Sequence, residues 1–517
     1  MGSRPALAQD NPAASSSDAV KVLKWKTVVN IADSIPGTET PFSSFNQPSI
    51  NNRGLVVFRG RSKGPSQPIR GIFVRDVTRS KAPITTIADT NTAVPAPNNT
   101  GASFNETPAF PRIPFGSDAV AFRGVSQPVY EYTLPDGTDT KIGTAGVYMV
   151  NIFQKKTLVT AASQLGVAPG FEYFEVPGAS VPATKFDQFP GAPSPAYDKI
   201  VFKGNYTDNG VSKTGVYYRN IRNAKNPHAV VLIANSDTVI PNQSDTKITF
   251  GSTAPPSSYS LNMVFLGVDN EDAPTMGGIY LSKLVQQPKL ITLVALGAPV
   301  PGIEGETINR LGEAISFNGR YIAFWGAWGT ATQTVTLTCP TDGNADLIKY
   351  CNQQYPGGVT TVDEPANQGI FVTNIVTKKT KLVAMTGADN FADFLYWTYS
   401  GRPPGSSDTD DYEPPRWRSA AFAAGYGQKT AFKGTKADGT VGIYLATGAK
   451  PSLDAHQTII DTTTDGTTID PEAPSGVAVT AVGIERDGFR NGRLAINASM
   501  ANADATLSWA GIYVAHP

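Results

Sequence analysis

Between residues 390 and 420 the chain reads NFADFLYWTYSGRPPGSSDTDDYEPPRWRSA. Tyr396, Trp397, Tyr399, Arg402, Tyr412, Arg416, Trp417 and Arg418 fall within this stretch, and Trp325 and Trp328 precede it. Aromatic faces stack on sugar rings, and guanidinium groups pair with carboxylate or sulfate through parallel N–H donors. The combination is the chemistry of a carbohydrate-binding surface, with Trp325, Trp328, Trp397 and Trp417 as its stacking rings. The same stretch holds the parts of a β-elimination. Cleaving a uronate-containing glycan that way needs a cation to neutralise the carboxylate and a base for the adjacent C–H. Arg402, Arg416 or Arg418 would be the cation, and Tyr396, Tyr399 or Tyr412 the base. The competing arrangement is a loop folded on itself, with these rings as its own small core.

Asp408, Asp410, Asp411 and Glu413 in the same stretch are oxygen ligands that could hold calcium, although the spacing lacks the glycine of an EF-hand loop and equally fits a solvated acidic turn. No other cofactor is indicated. His228, His456 and His516, the three histidines, have no ligand spacing for zinc. Gly-x-Ser-x-Gly, His-Glu-x-x-His, Walker and Gly-x-Gly-x-x-Gly patterns are all missing, so serine hydrolase, zinc protease and nucleotide chemistry lose their usual sequence support. Binding of a glycan or small molecule and uronate-lyase activity are the two functions left standing.

Forty-three basic residues balance 43 acidic ones, which gives no overall field for nucleic acid. Gly and Pro interrupt every apolar run before the roughly 18 residues that a membrane span needs. Ala6-Leu7-Ala8 before Gln9 has the small-x-small form of a signal-peptide cleavage site, so residues 1–20 read as a tag, signal remnant and leader, and the mature protein as secreted or periplasmic. The two cysteines, Cys339 and Cys351 in CPTDGNADLIKYC, are expected to form one local disulfide in such a compartment. A monomer is expected.

What positions the candidate residues is a repeat. Charged residues make up only 17% of the chain, with 49 Gly and 40 Pro, a turn-rich and β-biased composition. VVFRG ending at Gly60 recurs as VAFRG at Gly124, IVFKG at Gly204, MVFLG at Gly267, IAFWG at Gly326, TAFKG at Gly434 and the worn copy LAINA at Ala498. A second run follows each in register: GIFV from Gly71, GVYM from Gly146, GVYY from Gly215, GIYL from Gly278, GIFV from Gly369, GIYL from Gly442 and GIYV from Gly511. Both are short alternating runs rich in β-branched and aromatic residues, hence strands. A third strand follows most copies and a fourth precedes each pair. Seven units of four strands predict an all-β, seven-bladed β-propeller spanning residues 21–517.

The last unit stops at GIYVAHP without its outer strand, while KWKTVVNIADSIPG at residues 24–37 is a segment of that type. The N-terminal strand is therefore expected to close the last blade, which a two-sheet sandwich or open solenoid would not require. FSSFNQPSINNRGLVVFRG resembles the tandem Asn-x-x-Gly repeats of secreted, propeller-like proteins of largely unassigned function. That resemblance implies a packing pattern and no catalytic motif, and the architecture is also similar to that of seven-bladed polysaccharide lyases. In such a ring the loops joining strands two and three, and strand four to the next blade, emerge on one face. The long segments belong to that class, with the largest insertions at 327–368 and 386–418, so that face is where a ligand is expected.

Overall fold

The protein was analysed as a computed structural model that describes residues 23–63, 68–96, 101–127, 130–133, 137, 139–152, 157–164, 174–223, 230–242, 247–341, 345–401, 415–447, 453 and 456–517. Seven antiparallel sheets follow one another along the chain as the blades of a propeller. In blade one the order from axis to rim is Phe42–Phe45 with Ser49–Ile50, then Leu55–Ser62, Arg70–Asp76 and Thr85–Asp89. Blade seven runs Ala478–Gly483 with Phe489–Arg490, then Arg493–Ala501, Ser508–Ala515 and, from the other end of the chain, Trp25–Asn30. Val29 lies opposite Ile512 and Asn30 opposite Gly511, the closure expected from the missing strand.

The repeated words now have a physical cause. Their glycines face each other across the second and third strands: Gly60 opposite Gly71, Gly124 opposite Gly146, Gly204 opposite Gly215, Gly267 opposite Gly278, Gly326 opposite Gly369 and Gly434 opposite Gly442. A β-carbon on Gly60 would lie 2.7 Å from the Phe42 ring, and one on Gly124 would lie 2.6 Å from Phe104. Gly204 and Gly267 stand in the same relation to Phe186 and Phe250. Each glycine clears the space in which an inner-strand phenylalanine packs, edge-on to the third-strand ring: Phe42 on Phe73 at 5.1 Å and Phe104 on Tyr148 at 4.9 Å.

The inner strand departs from the single run expected. In six blades it comes as two short pieces that both pair with the second strand, as Phe45 with Gly60 and Ser49 with Val57 in blade one. Proline explains the gap in several of them. Pro48 and the Pro255-Pro256 pair have no amide hydrogen to donate, so the ladder is interrupted there.

Past the gap, toward the short turns, buried charge fills the axis. Arg112 donates through Nε to Asp487 at 2.6 Å, through Nη1 to the Pro256 carbonyl at 2.7 Å and through Nη2 to Ser257 at 3.0 Å. Arg490 meets the other oxygen of Asp487 and donates to the Gly425 carbonyl at 3.0 Å, while Ser316 donates to the Arg486 carbonyl at 2.6 Å. Burial would raise the pKa of Asp487, yet Arg112 and Arg490 hold it below the usual carboxylate range. The Asp487 carboxylate thus ties blade two to blade seven, and Arg490 carries the link on to blade six.

Candidate functional site

Two insertions build a cap on the loop-rich face. In blade five the second and third strands are separated by the hairpin Thr332–Thr338 and Val359–Pro365, with the helix Ala345–Gln354 between its arms. Cys339 and Cys351 are bonded and pin the helix to that hairpin. In blade six the gap in the inner strand, between Phe391–Asp393 and Ala423–Tyr426, holds a second hairpin, Tyr396–Ser400 paired with Arg416–Ala420.

Strand alternation sorts the candidate residues of that second hairpin onto two faces. Trp397 pairs with Ser419 and Tyr399 with Trp417, whereas Tyr396 pairs with Ala420, Thr398 with Arg418 and Ser400 with Arg416. Side chains directly opposite share a face and successive ones alternate. The aromatic face packs on the disulfide-pinned helix, where Tyr399 and Trp417 join Cys339, Cys351, Leu347, Tyr350 and Tyr355 in one apolar cluster. The Tyr399 ring lies 5.3 Å from Trp417, and its hydroxyl donates to Gln354 at 2.5 Å. Burial, with Tyr355 and Tyr350 nearby, pushes the Tyr399 pKa up to about 12. Trp397 donates through Nε1 to Glu364 at 2.8 Å.

The opposite face carries Tyr396, Arg418 and Arg416, and it gathers charge from other blades. Arg416 lies 4.0 Å from Glu271, in the loop between the second and third strands of blade four. Lys203, on the second strand of blade three, feels Glu313 of blade five, Glu271, Arg418 and Arg416; burial and the two arginines lower its pKa, and the carboxylates oppose them. Among the described residues none gives the Lys203 ammonium a hydrogen bond or ion pair. Lys433 sits at the same repeat position in blade six, with its ammonium 4.0 Å above the Tyr396 ring, and burial lowers its pKa to about 8. Arg59 and Arg123 occupy that position in blades one and two, so the residue before the motif glycine is a cation in four blades. Arg59 is bonded to Glu106 of blade two at 2.6 Å.

Trp325 and Trp328 lie in the blade cores. Trp325 is 7% exposed and donates to Gln368 at 3.1 Å; Trp328 is 3% exposed and meets Phe371 edge-on at 6.1 Å. Arg402, Tyr412, Asp408, Asp410, Asp411 and Glu413 lie outside the described residues, and among the described residues no three acidic, His or Cys side chains gather as a metal site. His456 is enclosed between Asp389, 2.9 Å from Nδ1, and the Val383 carbonyl, 2.8 Å from Nε2.

Sequence reasoning missed Lys203, Lys433, Glu271, Glu313 and the pair Asp393–Glu364. Asp393 is hydrogen-bonded to Glu364, and burial, together with the Glu364 charge, raises its pKa to about 7. Glu364 is buried and accepts from Trp397, Gln333 at 2.8 Å and Gln368 at 3.3 Å. The recurring cation before the motif glycine was the available signal for Lys203 and Lys433.

No family model matches the chain, and no curated protein matches it. Among solved structures, the polysaccharide lyase Uly1 is 8% identical, with 95% of this chain and 97% of that chain covered and a TM-score of 0.36. Zg3597, a family 117 glycoside hydrolase of the marine bacterium Zobellia galactanivorans, is 10% identical over 66% of this chain and 89% of its own, at 0.29. Dipeptidyl peptidase 4 of Porphyromonas gingivalis is 10% identical over 90% and 59%, at 0.32. Likenesses this distant carry no argument about chemistry.

Proposed function

We propose that the protein binds a carbohydrate bearing carboxylate or sulfate groups on its loop-rich face, with Arg416, Arg418 and Lys203 as the anion-pairing groups and Tyr396 as the exposed ring beside them. The observation that carries this reading is the sorting of the hairpin 396–420, whose arginines share the face opposite the one packed on the helix. A lysine desolvated by burial, without a bonding partner among the described residues, gains more from an incoming anion than a solvated one does. Trp397 and Trp417 support the cap, and stacking falls to Tyr396. Calorimetry against acidic and neutral oligosaccharides chosen by array screening tests the reading; binding of neutral glycans only, or no loss of binding when Arg416 and Arg418 are both replaced by Ala, would refute it.

One observation favours uronate β-elimination as the second reading. Tyr396 lies on the arginine face with the Lys433 ammonium 4.0 Å above its ring, so a phenol that could serve as the base stands beside cations able to neutralise a uronate carboxylate. Tyr399, with its raised pKa and its bond to Gln354, is unsuited as the base. Release of unsaturated uronate, followed by absorbance over a panel of acidic polysaccharides and lost in Tyr396→Phe, would favour it over binding alone.

A further inference from the structure

The face opposite the cap is built from short turns, and its charge is uneven. Turns between the first and second strands lie beside turns between the third and fourth, joined by a recurring backbone bond: Val77 to Gly54, Ile221 to Asp198, Leu284 to Leu261 and Ile375 to Arg320, each 2.8–2.9 Å. In blades four and five these turns read YSLN at 259–262, KLVQQPKL at 283–290, NGRY at 318–321 and NIVTKK at 374–379. They hold Lys283, Lys289, Arg320, Lys378 and Lys379 and no carboxylate, in a chain whose charges balance overall. All five side chains are exposed, and none is bonded to a described residue.

Apolar tips stand among them. Leu261 is 46% exposed, Val285 45% and Val376 73%; Val285 and Val376 stand two residues from Lys283 and Lys378, and the Leu261 carbonyl accepts from Leu284, the neighbour of Lys283. A soluble polyanion would pair with the lysines but gain nothing from the apolar tips. A lipid surface takes both, because anionic headgroups attract the cations while short apolar side chains enter the boundary with the acyl chains.

We propose that the short-turn face of blades four and five docks the protein on an anionic lipid surface. The lysines and Arg320 lie in the headgroup layer, and Leu261, Val285 and Val376 enter it at the tips of the turns. No described helix is long and apolar enough to cross a membrane, so the contact is peripheral and reversible. Docking there leaves the cap pointing away from the lipid, available to its own ligand.

The test is sedimentation of the full chain with vesicles of phosphatidylcholine alone or with one third phosphatidylglycerol, at low and at physiological salt. Partition is expected only into the anionic vesicles and weakens with salt. The triple variant Lys283→Glu, Lys378→Glu, Lys379→Glu should lower it about a hundredfold at low salt, from the usual contribution of each surface lysine. Leu261→Ser with Val376→Ser should lower it about tenfold at unchanged melting temperature. No partition into anionic vesicles, or partition retained in the triple variant, would overturn the proposal. So would retention on a heparin column that depends on the lysines, if the double serine variant still partitions like the parent; the face would then serve a soluble polyanion. Arg416→Ala with Arg418→Ala, on the other face, should partition normally, so its effect on glycan binding is judged separately.

Discussion

Asn30 donates its side-chain amide to the buried carboxylate of Asp470 at 3.0 Å, joining the strand that completes blade seven to the short helix Gly466–Ile469 just before that blade. Trp509 at 2.9 Å and Tyr513 at 3.1 Å donate to the same oxygen. Asp470→Ala would leave the Trp509 and Tyr513 donors of the closing blade without an acceptor, while the Asn30 amide keeps Glu472 at 2.9 Å. The expected cost is about 3 kcal/mol, since orphaned buried donors bear their full desolvation penalty. Urea unfolding checks this, and Asn30→Ala should cost less than half as much because only one donor is removed.

Binding should follow the arginine face. Arg416→Ala and Arg418→Ala are each expected to weaken an acidic oligosaccharide by about 1.5–3 kcal/mol, the range for hydrogen bonds to charged groups. Trp417→Ala should instead lower the stability of the cap by about 3 kcal/mol through loss of packing, with affinity falling only as far as the hairpin loosens. Calorimetry and thermal melts on the same samples separate the two effects.

The Asp393–Glu364 pair predicts a pH dependence of known sign. The Asp393 carboxyl titrates near 7 in the folded protein and near 4 when unfolded, so the folded chain holds the extra proton across that window. Its contribution is complete below pH 4 and is lost as pH rises toward 7. Asp393→Asn should therefore be the more stable protein at pH 8, by about 1–2 kcal/mol after allowance for partial exposure, and should lose that advantage at pH 4. Parallel urea titrations at the two pH values decide it, and an equal difference at both would contradict the assignment.

Gly124→Ala should cost about 1–3 kcal/mol by overpacking, because the added methyl meets the Phe104 ring at 2.6 Å. A smaller ring partner relieves it. In a double-mutant cycle with Phe104→Leu the two changes should cost less together than the sum of their separate effects.

Removing the Cys339–Cys351 bond should act locally. The cross-link spans a separation of 12 residues, worth about 3 kcal/mol in the chain-entropy account, and it joins the helix to its hairpin without crossing blades. Reduction should raise amide exchange in residues 332–365 and leave the outer strands of the other blades unchanged.

The ring was legible because each unit repeats a pair of strands with glycines in register, and because an outer strand missing at one end reappears at the other. The cap was legible only as an insertion. Its composition suggested one aromatic and basic platform, but the pairing of Tyr399 with Trp417 and of Thr398 with Arg418 divides rings from guanidiniums. That division depends on hairpin register, which the intervening Pro- and Gly-rich segment does not specify. The division of the inner strand was likewise hidden. Phe42, Phe104, Phe186 and Phe250 recur ahead of the motif glycines of blades one to four, but pieces of two to four residues are too short to show an alternating pattern.

The gap in each inner strand also makes the ring a chassis. Blade six accommodates an additional hairpin there without losing the pairing of Asp393 with Thr435 on one side or of Ala423 with Phe432 on the other. The turn at residues 46–48 of blade one occupies the same place, with Asn46 donating to the Arg59 carbonyl at its edge, whereas the turn at 254–256 of blade four is tied down by the bond from Ala254 to Leu266 and by the Pro256 carbonyl on Arg112. A foreign hairpin grafted in blade one would be presented beside the axis by a scaffold already shaped to tolerate it, so a new recognition loop can be installed there while the ring that carries it stays intact.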